Sequence, residues 1–200
     1  MIPYSISKEE INELPLGQFE GKIYLIDSHD QVEDAVDFLE DQRIIGFDTE
    51  TKPSFRKGQF NHVSLLQLST SEQAFIFRLN KIGFPDPLRN LLEKENLVKV
   101  GAAVHDDLKG LRKLTDSFFP LSFFDLNDEL KKVGFHNVGV RNLCGMVLKI
   151  RISKTEQVSN WEAEKLTEKQ LRYAATDAWA CLEIFNLLRE EGYLDELFNR

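Results

Sequence analysis

The run Ile44-Ile-Gly-Phe-Asp48 constrains this chain most. It is compact and apolar up to its final carboxylate, and such a run reads as a strand buried on both faces. A strand of that kind needs a sheet covered by other layers. Lys22–Ile26, His62–Leu68, Ala74–Phe77, Leu97–Val100 and the pair Phe123-Phe124 read as further strands. The short polar connection Ser69-Thr-Ser-Glu-Gln73 favours antiparallel pairing of the two strands it joins. Helical spacing appears at Val32, Ala35, Val36 and Leu39, behind a capping-box signal formed by Ser28 and Gln31. Further helices are expected through Leu88, Leu91 and Leu92, from His105 to Leu114, over Val140–Leu148, and after Thr167, which makes a second capping box with Gln170. Early strands followed by strand–helix alternation predict an α/β domain, a mixed central sheet of about five or six strands flanked by helices. No repeat or linker breaks the chain. A single domain is expected over residues 21–200, preceded by an N-terminal arm over 1–20.

Composition excludes several classes of protein. With 42% hydrophobic residues and 15 Phe in a chain of 200, a sizeable core can form, and 29% charged residues is far from a disordered profile. No apolar run approaches the ~18 residues that cross a bilayer. The N-terminus lacks the basic start and apolar stretch of a signal peptide, so a cytoplasmic protein without a membrane partner is expected. The two cysteines, Cys144 and Cys181, have no Cys or His at ligand spacing, which argues against a disulfide framework or a structural zinc. A net charge of −8 argues against coating nucleic acid by bulk charge and leaves a local basic groove open.

Three acidic constellations stand out. In Asp48-Thr49-Glu50 the alternation of a strand puts both carboxylates on one side and Thr49 on the other. Bare carboxylates so placed repel, and a hard cation would neutralise them; a solvated strand end is the alternative. In Val104-His-Asp-Asp-Leu108, a helix with Val104, Leu108 and Leu111 on its apolar face turns Asp107 inward and Asp106 outward. In Tyr173-Ala-Ala-Thr-Asp177, the i, i+4 spacing places Tyr173 and Asp177 one turn apart on a helix shoulder. There they could equally be a half-buried hydrogen-bonding pair. Leu171, Ala174, Ala175, Ala178, Leu182 and Phe185 form the packed stripe of that helix, with Arg172, Thr176 and Glu183 on its polar side.

In order along the chain, these residues resemble the DEDDy 3′–5′ exonucleases of the ribonuclease-H-like superfamily, most closely the Werner-type exonuclease domain. The resemblance runs over residues 22–195. It rests on Gly46-Phe-Asp-Thr-Glu50, Val63-Ser-Leu-Leu-Gln-Leu68, Val100-Gly-Ala-Ala-Val-His-Asp-Asp107, Ser159-Asn-Trp161 and Leu171-Arg-Tyr-Ala-Ala-Thr-Asp-Ala178. Thr51 stands where the family often has Trp, at a position expected to shape the substrate cleft. The resemblance implies a three-layer α/β/α fold. It also implies that Asp48, Glu50, Asp107 and Asp177 hold two divalent cations, Mg²⁺ or Mn²⁺, with Tyr173 aiming the attacking water. The implied activity is removal of nucleotides from a free 3′ end, with DNA ranked ahead of RNA and a helicase partner, if any, acting in trans.

Six Lys or Arg and no acid lie between Leu130 and Thr155. Lys149, Arg151 and Lys154 of this stretch are expected to contact phosphates, together with Thr49 and the loop cations Arg56 and Lys57. Phe55 and Phe60 of that loop are candidates to stack on a base or to be buried. A ribonuclease D-like enzyme that trims RNA is the second reading, ranked lower because such enzymes append helical domains and this chain ends about 20 residues after Asp177. A non-catalytic nucleic-acid-binding module on the same fold is the third.

Overall fold

Six strands pair in the order β1-β4-β3-β2-β5-β6 in a computed structural model that describes residues 1–54, 58 and 60–195. The strands are β1 (Lys22–Ile26), β2 (Ile44–Thr51), β3 (Val63–Ser69), β4 (Gln73–Phe77), β5 (Val98–Gly101) and β6 (Phe123–Asp125). β2–β3 and β3–β4 are antiparallel, whereas β1–β4, β2–β5 and β5–β6 are parallel. The sheet is therefore mixed, as the polar connection after Ser69 and the later strand–helix alternation require. Eight α-helices accompany it among the described residues: α1 (Lys8–Glu13), α2 (Val32–Glu40), α3 (Leu79–Ile82), α4 (Asp86–Leu92), α5 (Val104–Arg112), α6 (Leu126–Lys132), α7 (Val140–Leu143) and α8 (Glu168–Glu190).

The period-2 alternation of β2, β3 and β4 divides their side chains between two cores. On one face Ile45, Phe47, Leu66, Leu68, Phe75 and Phe77 pack with Val36 and Leu39 of α2, Leu88 and Leu91 of α4 and Leu111 of α5. On the other, Leu65, Ala74 and Ile76 pack with Ala174 and Ala175 of α8, while Val100 packs with Cys181, Ile184 and Phe185. Three layers result. No described helix is long and apolar enough to cross a membrane.

Helix α8 approaches the sheet closely at Gly46. A Cβ there would stand 2.0 Å from the carbonyl oxygen of Ala178 and 2.6 Å from Ser69 Oγ, so only glycine permits this approach. Gly46→Ala is expected to lose about 1–3 kcal/mol, since helix backbone rather than a flexible side-chain tip would have to move. Urea melts measure this directly, and an unchanged midpoint would refute the close approach.

Residues 1–20 fold onto the domain. Ser7 and Glu10 form a complete capping box at the start of α1, and Ile2, Ile11 and Phe19 are buried. Leu16 bridges Arg151, and the Phe19 N–H donates to Thr176 Oγ1 at 3.0 Å. Thr176, expected on the polar side of its helix, is thus buried: the N-terminal segment covers that side, and Arg172 donates to the Phe19 carbonyl at 2.8 Å. The segment Val140–Leu148, expected as one helix, is a turn of α7 followed by a π-helical turn that Lys149 ends at φ 57°.

Candidate active site

Asp48 and Glu50 leave the same face of β2, and Asp177 descends on them from α8. Ligand oxygens of the three lie within 4.8 Å of one another. The close seat of α8 over Gly46 makes this convergence possible. Asp107 reaches the same edge from α5 on the opposite side of the sheet, where the hydroxyl of Thr49 donates a hydrogen bond to its carboxylate. Thr49 is thus occupied with Asp107 rather than facing the cleft. Asp106 is exposed, in keeping with the helical geometry. Tyr173, one turn before Asp177, lies with its ring 5.9 Å from that of fully buried Trp161.

The strip that carries Trp161 is fastened from several directions. Buried Arg78 donates to the carbonyls of Ala163 and Glu164, and Gln170 Nε2 donates to Ser159 Oγ at 3.1 Å. On the other side of the acids, Asp125 caps α6 and also accepts from the N–H groups of Ala103 and Val104, both at 2.9 Å. This holds the left-handed Ala103, φ 58°, where β5 turns into α5, and so places Asp107. Asp125 is not among the expected site residues, although an Asp directly before a helix is an N-cap signal.

Burial dominates the electrostatics. It raises Asp48 well above the usual carboxylate range, with the charges of Asp177, Asp107 and Glu50 adding to the effect. Burial pushes Glu50 up to about 9, reinforced by Asp177 and Asp107. Asp177 is pushed up to about 7 by burial, against the interaction with Tyr173. Asp107 is pushed up to about 6, with the Thr49 hydroxyl pulling the other way. Burial and then Asp177 hold the Tyr173 phenol well above its ordinary value, so it is a proton donor at neutral pH. A cluster in which every acid resists ionisation, and which offers only carboxylate oxygens, fits a hard divalent cation that compensates the charge.

The site opens into a cleft of about 730 Å³ that Asp107 does not line. Asp48, Glu50, Tyr173 and Asp177 form one side, and Lys8, Arg141 and Lys154 contribute cations. Lys8 and Arg141 were not among the expected site residues. Arg141 lies within the acid-free stretch, while Lys8 lies in the segment expected to be an arm. Lys149 donates to the Met146 carbonyl and Arg151 Nε to the Leu14 carbonyl, and neither lines the cleft. Arg56, Lys57 and Phe55 lie outside the described residues. Phe60 is 85% exposed, with the Lys113 ammonium 5.9 Å from its ring centre. Cys144 and Cys181 are buried and free.

A mixed six-stranded sheet between helical layers, with carboxylates converging from a central strand and the long helix, defines a ribonuclease-H-like exonuclease fold. A family model described as 3′–5′ exonuclease matches residues 23–192. The chain belongs to the 3′–5′ exonuclease family. It is 28% identical over 196 residues to the exonuclease mut-7 homolog of Aedes aegypti, covering 86% of this chain and 27% of that protein. It is 32% identical over 197 residues to the bifunctional 3′-5′ exonuclease/ATP-dependent helicase WRN of Mus musculus, covering 92% of this chain and 14% of that protein. Among solved structures, the Aedes aegypti Nibbler EXO domain superposes with a TM-score of 0.80 at 25% identity, covering 90% of this chain and 94% of that one. The chain spans 14–40% of the length of the first curated relatives it matches.

Proposed function

We propose that this chain hydrolyses phosphodiester bonds from the 3′ end of a nucleic acid, DNA before RNA, using Mg²⁺ or Mn²⁺. The observation that carries the reading is the set of three carboxylates within 4.8 Å at the edge of a cleft that also presents Lys8, Arg141 and Lys154. In this reading Asp48, Glu50 and Asp177 hold the cations, with Asp107 contributing from α5. When bound, the cations supply charge neutralisation and Lewis acidity for attack of water at phosphorus. Tyr173 keeps its proton and orients the water by hydrogen bonding. Its packing on Trp161 fixes the ring for that task. Lys8, Arg141 and Lys154 bind strand phosphates, so affinity falls as salt rises.

The test is a panel of DNA and RNA strands of one sequence, labelled at the 3′ or 5′ end, with Mg²⁺, Mn²⁺ or EDTA. Stepwise shortening from the 3′ end, faster on DNA and absent in EDTA, is expected. Faster cleavage of RNA would replace the substrate in this reading, and no cleavage of either would end it. Tyr173→Phe is expected to lower kcat by roughly 10²-fold, the scale of a positioned proton-handling group, with divalent-ion affinity kept. Calorimetric Mn²⁺ titration of the variant checks the second half.

A further inference from the structure

Every residue of β3 is buried, including the polar Ser64, Gln67 and Ser69. Gln67 is 0% exposed, and neither its amide nitrogen nor its amide oxygen has a hydrogen-bond partner among the described residues. In the antiparallel register Gln67 stands directly opposite Asp48, so the two side chains are neighbours on the face that α8 covers. Its other cross-strand neighbour is Ile76. The α8 residues over this part of the sheet include Ala174, Ala175 and Ala178, whose side chains form no hydrogen bonds. Along the strand, on the same face, come Leu65 and then Ser69, whose hydroxyl is also unpartnered. The carboxylate directly opposite it is that of Asp48, which Asp177 of α8 approaches from above.

A buried amide without partners costs stability, and a leucine or methionine would fill the same space without that cost. What the amide offers and those side chains lack is a donor beside Asp48. Groups behind a cation's ligands commonly fix the ligand's orientation and strengthen its binding.

We propose that Gln67 is a positioning residue for Asp48, its Nε2 donating to the carboxylate when Asp48 holds a cation; this rests on the cation-site reading above. Gln67 touches neither substrate nor cation, so its effect passes through Asp48.

The test compares wild type with Gln67→Leu and Gln67→Met by Mn²⁺ calorimetry, thermal melting in EDTA, and kcat and KM on the preferred strand. Expected are Mn²⁺ affinity and kcat each lowered 10- to 100-fold, the usual range for such partners, with KM unchanged and the metal-free Tm raised. A purely structural glutamine would give the reverse, a lowered Tm or lost fold with Mn²⁺ affinity kept. Wild-type Mn²⁺ affinity in both variants, or a lowered metal-free Tm in both, overturns the inference alone. Failure of the wild type itself to bind Mn²⁺ would overturn the cation-site reading and the inference with it.

Discussion

Asp177→Asn is expected to cost on the order of 10³-fold in turnover at a 3′ end, the scale of losing one directly acting electrostatic group. The same variant is expected to melt higher than wild type in EDTA at pH 8. Asparagine keeps the shape of the side chain and an oxygen that can accept from Tyr173, while removing a charge within 4.8 Å of Asp48 and Glu50. With burial raising Asp177 to about 7, at pH 8 the metal-free protein holds it largely ionised beside two acids that resist ionisation. Removing that desolvated charge should raise Tm by roughly 3–6 °C, equivalent to about 1–2 kcal/mol in a chain of this size. The two effects have opposite signs, which ordinary damage to the fold cannot produce. Turnover within tenfold of wild type would remove Asp177 from the catalytic set. A lowered metal-free Tm would show that its carboxylate is paired rather than held at a cost.

What could be read in the sequence was whatever depends on local geometry. The alternation of β2 separates Asp48 and Glu50 from Thr49, the i, i+4 spacing aligns Tyr173 with Asp177, and Thr167 with Gln170 caps α8; each needs only the period of one element. What escaped depends on which elements cover which. Thr176 reads as polar and exposed on a lone helix, and is buried because residues 16–21 cross its face. Helix α1 carries the same Ser-x-x-Glu signal as a capping box elsewhere, yet only Ile11 among its six residues is buried, too little to show a helical period. The acid-free stretch contains cations that line the cleft and cations that do not. It cannot tell Arg141 and Lys154, which line it, from Lys149 and Arg151, which bond to backbone carbonyls. Nor can helical periodicity say that Asp107 approaches from the opposite face to Asp177 and meets Thr49 on the way.

In EDTA the protein is expected to lose stability as pH rises from 5 to 8, and a saturating divalent cation should reverse the trend. Unfolded Asp and Glu titrate near ~4. In the folded chain Asp107 is raised to about 6, Asp177 to about 7 and Glu50 to about 9, with Asp48 also raised. Between those limits the folded state binds more protons than the unfolded state, so the stabilisation present below pH 4 is lost as pH rises through the folded values. The slope is on the order of 1 kcal/mol per pH unit, or about 2–4 °C, after allowance for partial exposure. Lys99, whose burial pulls its ammonium down to about 8, acts in the opposite direction only above that pH, which sets the upper end of the window. Cations compete with the same protons. Free Mg²⁺ at about 1,000 times its Kd adds roughly 4 kcal/mol at pH 8, or about 8–16 °C, and little at pH 5. Calorimetric melts at both ends of the window, with EDTA or Mg²⁺, give the comparison. A metal-free Tm that stays flat or rises would mean that the carboxylates ionise freely, which removes the reason for a cation to be held there. Surface carboxylates cannot mimic the predicted fall, because acids of ordinary or lowered pKa are ionised in both states across this range and add no slope.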